Sequence, residues 1–190
     1  MSQPNPPLPT ILVVDDTPEN IDLLSEVLAS DYRIKVAPSG ERALKIARTD
    51  PRIDLILLDV MMPGMNGYQV CQQLKSDSAT RHIPVMFVTA MSEMADEKYG
   101  LELGAVDYIT KPISPPIVQA RVKTHLAMKQ VHDFLRDQNQ FLEAEIVRRT
   151  QEVSALKDVT IHTMASLAET RDSETGNHIR RTSHYVKVLA

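Results

Sequence analysis

Tryptophan is absent and cysteine occurs once, as Cys71. A single cysteine excludes an internal disulfide framework and fits a reducing cytoplasm. Cys71 falls within an apolar-periodic helix and reads as a small buried side chain. Aromatic residues make up 4% of the 190 residues, against 43% hydrophobic residues in all, so a core here must be packed with aliphatic side chains. No apolar run approaches the ~20 residues that span a bilayer. Basic excess is also missing: the net charge is −4 and the pI near 5.9, which removes the general reason to expect nucleic-acid binding. The opening "MSQPNPPLP" lacks the positive flank and apolar core of a signal peptide. Residues 1–9 read as a disordered leader.

What is present is a regular alternation from residue 10 to about residue 125. "TILVVDD" (10–16) reads as a strand, followed by Thr17 and Pro18, a cap and a first-turn proline. Apolar residues at helical spacing then occupy 19–30. The remaining units are strand 32–38, "YRIKVAP", whose alternation fits a sheet edge; helix 39–49; strand 53–59; helix 66–76; strand 83–89, "IPVMFVT"; helix 93–103; and strand 106–110, "VDYIT". Gly104 fits a helix-ending glycine. Five short strands interleaved with helices predict an α/β fold with a five-stranded, doubly wound parallel sheet.

After "KPISPP" the pattern changes. Ser114 can cap a helix, and neither Gly nor Pro interrupts from residue 117 to Gly176. Met128, Val131, Leu135, Gln138 and Leu142 follow three- and four-residue spacing; after a stutter to Ile146, Arg149, Val153 and Leu156 resume the seam. A helix from 114 to about 171 would extend on the order of 85 Å at 1.5 Å per residue. A domain this small cannot cover that length, so a homodimer through the helix after Ser114 is expected. Gln138 and Arg149 at seam positions predict a marginal or switchable dimer.

The stretch "LILLDVMMPGMNG" (55–67) carries an apolar strand to a carboxylate, Asp59, and then into a turn. In open parallel sheets, ligands bind at the carboxyl ends of the strands. Those ends here hold Asp15 and Asp16, Asp59, Thr89 and, just beyond "VDYIT", Lys111. Each has an ordinary reading as a cap or a solvated charge, but their joint placement on four strands points to one polar rim. Three clustered carboxylates repel unless a cation intervenes, and an oxygen-only site with room for water suits Mg²⁺. One carboxylate can then attack a phosphoryl group while the metal and Lys111 neutralise its oxygens and Thr89 donates a hydrogen bond. Asp59, emerging alone from the central strand, is the expected nucleophile.

In order and spacing, "ILVVDD", "LILLDVMMPGMNG", "PVMFVTA" and "GAVDYITKP" resemble the receiver domains of two-component response regulators, over residues 10 to about 125. The resemblance implies strand order 2-1-3-4-5. It implies that Asp59 accepts a phosphoryl group from a sensor histidine kinase or phosphotransfer protein. Asp15 and Asp16 would bind Mg²⁺ with Asp59 and the backbone carbonyl of Met61. Thr89 and Tyr108 would form a switch pair, and Lys111–Pro112 a cis peptide.

The end of the chain, with "RDSETGNHIRRT" (171–182) as its core, resembles the opening of HD-GYP domains, metal-dependent phosphodiesterases of cyclic dimeric GMP. Glu174 and His178 match the spacing of two metal ligands in that family, although a helix cap with an exposed histidine accounts for them as well. The HD pair, later histidines and GYP loop do not occur in these residues, so no complete hydrolase site and no phosphodiesterase activity are expected of them. A longer parent would be such an enzyme. His82, His125, His132, His162 and His184 show no ligand spacing.

The expected organisation is a leader (1–9), a receiver (10–125), a coiled-coil signalling helix (126–157) and the start of an HD-GYP-like output domain (158–190). The expected role is that of a bacterial, cytoplasmic response regulator with Mg²⁺ as cofactor, no nucleic-acid partner and no membrane association. The alternative is a receiver and coiled-coil scaffold without catalytic output. A DNA-binding regulator would need a recognition helix, and "HIRRTSHYVK" has no helix-turn-helix partner. No histidine is followed by the acid-and-proline pattern of histidine kinases.

Overall fold

Strand β1 (Thr10–Val14) is buried at every position, and β3 (Ile53–Asp59) at all but Asp54. Burial on both faces of β-branched and leucine side chains is what interior strands of a parallel sheet require. The computed structural model of the protein, which describes residues 8–90 and 99–169, places these strands at the centre of a five-stranded parallel sheet. The other strands are β2 (Arg33–Ala37), β4 (Val85–Thr89) and β5 (Asp107–Thr110), in the order β2-β1-β3-β4-β5. The edge position expected for β2 is observed: Arg33 and Val36 are exposed.

Successive side chains on a strand point to opposite faces, and two cores result. Leu12, Val14, Ile56 and Leu58 face α2 (Gly40–Thr49) and α3 (Gly67–Ser76). Ile11, Val13, Leu55 and Leu57 face α1 (Pro18–Leu28) and Val118, Val122 and Leu126 of the long helix α4 (Pro115–Glu169). Cys71 is fully buried in the first core.

Local differences from the sequence reading have physical causes. β1 stops at Val14, because Asp15 turns its carboxylate back onto the Thr17 N–H. Thr17 occupies the N-cap of α1 but makes no side-chain cap bond. Asn66, by contrast, forms a full capping box with Gln69 at the start of α3. Residues 99–102 are helical and end at Gly104, whose φ of 93° is left-handed; the front of the helix expected over 93–103 lies outside the described residues.

The chain divides into two compact units between His132 and Asp133. The sheet and its helices form the first. The described part of the second, residues 133–169, is helical, and Leu135, Leu142, Ile146, Val153 and Leu156 on it are all more than half exposed. Arg149 is held within its own helix by Glu145 and Glu152. No described helix is long and apolar enough to cross a membrane.

Candidate functional site

Four strand ends bring Asp15, Asp16, Asp59, Thr89 and Lys111 to one rim. Asp15 is fully buried, Asp59 and Thr89 are nearly so, and Asp16 is exposed. One oxygen from each of the three carboxylates lies within 4.8 Å of the others. Oxygen-only donors with one exposed side fit a magnesium ion that keeps part of its water.

Lys111 organises the pair of buried acids. Its Nζ lies 2.9 Å from Asp15 Oδ2 and 3.2 Å from Asp59 Oδ2. Burial alone would lower the pKa of this ammonium, but its hydrogen bond to Asp15 and the charge of Asp59 outweigh that and raise it. Burial, followed by the charge of Asp15, pushes the Asp59 carboxyl up, with Lys111 and the Met61 N–H opposing. The Met61 N–H donates to Asp59 Oδ1 at 3.3 Å, while the Met61 side chain is exposed. The Lys111–Pro112 bond is cis, and the Lys111 N–H donates to the Thr89 carbonyl at 2.8 Å.

Sequence reasoning missed Asn20 and Gly67, which shape this rim. Asn20 Nδ2 donates to Asp15 Oδ1 at 3.0 Å, alongside the Thr17 N–H, and so orients that carboxylate. Its position one helical turn after the acid pair was the available signal. Gly67 lets α3 start against β3, since a Cβ there would lie 2.2 Å from the Asp59 carbonyl oxygen. Tyr108 is half-buried beneath the Arg121 guanidinium, 5.8 Å above its ring. Arg121 and His125 both contact Asp107, with His125 Nε2 at 2.9 Å from Asp107 Oδ2. His125 is thus engaged by a carboxylate that its sequence spacing did not reveal. Glu174 and His178 lie outside the described residues.

Residues 11–123 match the family described as the response regulator receiver domain. The chain belongs to that family. The receiver and its extension are also 54% identical, over 95% of the chain, to a probable cyclic di-GMP phosphodiesterase of Vibrio cholerae, and cover 41% of that protein. Response regulator PleD of Caulobacter vibrioides is 48% identical over 66% of the chain, which covers 28% of PleD. The chain therefore spans less than half the length of these curated relatives. Among solved structures, the receiver resembles that of a signal transduction histidine kinase from Syntrophus aciditrophicus, with TM-score 0.57, 36% identity, and coverage of 62% of this chain and 89% of that one. It also resembles the Francisella response regulator 1452 receiver domain, with TM-score 0.59, 27% identity, and coverage of 63% and 98%. Residues 11–123 are thus the receiver domain of a two-component response regulator.

Proposed function

We propose that Asp59 accepts a phosphoryl group from a phosphohistidine on a sensor histidine kinase or phosphotransfer protein. The contact of Lys111 with both Asp15 and Asp59 carries this reading, because it leaves a buried carboxylate facing a fixed ammonium at an open acidic rim. An Asp59 oxygen forms the new bond to phosphorus and the P–N bond breaks. The electron pair stays on the imidazole nitrogen, and a proton taken up by the ring, before or as the bond breaks, lets it leave as neutral imidazole.

Asp15, Asp16, Asp59 and the Met61 carbonyl would hold Mg²⁺, which when bound supplies positive charge to the phosphoryl oxygens. Asn20 and the Thr17 N–H keep Asp15 oriented. Lys111 neutralises charge on the transferred group, Thr89 donates to one of its oxygens, and Tyr108 changes position with Thr89. The receiver passes its state to α4, which pairs with a second copy through Leu135 and Leu142. The output of the whole protein is cyclic dimeric GMP hydrolysis, a reading supported by the Vibrio cholerae relative.

The test is incubation with magnesium and a small acyl phosphate, followed by intact mass measurement. One base-labile phosphoryl group should be added, and Asp59→Asn should abolish it. Equal labelling of the Asp59→Asn protein would remove Asp59 from the mechanism.

A further inference from the structure

The acidic rim lies at the carboxyl ends of the parallel strands, and a second concavity lies at their amino ends. It encloses about 310 Å³ and is lined by Leu8, Arg33, Arg52, Asp54, Leu126 and Lys129, among others. That volume is at the lower end of the range for small-molecule sites. Arg33 opens β2, while Arg52 and Asp54 flank the first residue of β3, so the sheet itself sets these groups side by side.

The charge of the lining is one-sided, with three cations against one carboxylate. Asp54 is already engaged: Oδ2 accepts the Thr10 N–H at 2.9 Å, and Oδ1 lies 3.2 Å from Lys129 Nζ. Asp50, the ion-pair partner of Arg52, is shared with Lys35, so that acid brings no net negative charge. No described residue forms an ion pair or side-chain hydrogen bond with the Arg33 guanidinium. Two guanidinium groups thus border a cleft in a chain whose net charge is −4.

We propose that this cleft binds a small molecule through a phosphate dianion held by Arg33 and Arg52. The planar guanidinium fork matches phosphate oxygens in pairs, and a doubly charged head matches two such groups. Leu8 and Leu126 offer an apolar wall to the body of a phosphate monoester. Lys129 belongs to α4, so a bound anion would tie the starts of β2 and β3 to the helix that leaves the receiver. The site is separate from Asp59 and does not depend on the phosphoryl-transfer reading.

Backbone amide NMR of the full chain, without magnesium, tests this with inorganic phosphate and ribose 5-phosphate as probes. Saturable shifts are expected at Thr10, Arg33, Asp54 and Lys129. Tighter binding of ribose 5-phosphate would identify a monoester as the ligand; equal binding would identify phosphate itself. Arg33→Gln combined with Arg52→Gln should weaken binding by about tenfold or more, with an unchanged amide spectrum away from the cleft as the control for folding. Arg33→Gln alone, at an exposed position, serves if the double variant does not fold. The proposal is overturned if neither probe binds, if the shifts centre on Asp15 and Asp59, or if binding survives the substitutions.

Discussion

A Cβ on Gly67 would lie 2.2 Å from the carbonyl oxygen of Asp59. The first residue of α3 therefore sits where only hydrogen fits, with its N–H donating to the Val60 carbonyl at 3.0 Å. An alanine in a helix ordinarily gains stability over glycine. Here Gly67→Ala should instead cost about 1–3 kcal/mol, because the backbone of β3 cannot retreat from its ladder. Urea denaturation reads the sign directly, and a stabilised variant would contradict this account of the close approach.

The raised pKa of Asp59 predicts a dependence of stability on pH. A carboxyl whose folded pKa lies above its unfolded value, ~3.9, costs the fold stability while ionised. The cost disappears as pH falls through the folded value. With divalent ions chelated, Asp59→Asn should be more stable than the parent at neutral pH, and the difference should narrow on acidification. A difference independent of pH would refute the assignment of burial and the Asp15 charge as its causes.

Lys111 holds its position through both buried acids. Lys111→Ala should slow labelling of Asp59 by about 10²-fold, the usual scale for removing one group that stabilises developing charge. Time courses with a small acyl phosphate measure this. Labelling at the parent rate would exclude Lys111 from the chemistry.

Cys71 is fully buried, and burial pushes its thiol up to about 11. Alkylation at neutral pH should therefore follow opening of the α3 core and accelerate with urea in step with unfolding. Rapid labelling of the native chain would show the α3 face to be open.

The exposed seam of α4 predicts self-association. Leu135 and Leu142 are 55% and 51% exposed in the single chain, and burying each contributes about 2 kcal/mol. The chain should form a dimer by light scattering, and Leu135→Asp with Leu142→Asp should yield monomers. Arg149, paired with Glu145 and Glu152 within its own helix, should keep this pairing marginal. A monomeric parent at high concentration would refute it.

Much of this protein was legible in its sequence because the relevant signals are local. Alternating helical and strand periodicity set the element order, the two-sided apolar run at 55–58 marked β3 as interior, and the strand order itself came from the resemblance to receiver domains. Strand-end positions then placed Asp15, Asp59, Thr89 and Lys111 on one rim, since all strands in a parallel sheet run the same way. Tertiary structure decided what those groups touch. Lys111 reaches Asp15 across 96 residues of sequence, and Asn20 turns back onto the same acid. Arg121 and His125 converge on Asp107, and Arg33, Arg52 and Lys129 come to share a cleft. Periodicity records which face of an element is buried. Which side chains meet across elements depends on strand order, register and helix packing, which no short window of sequence contains.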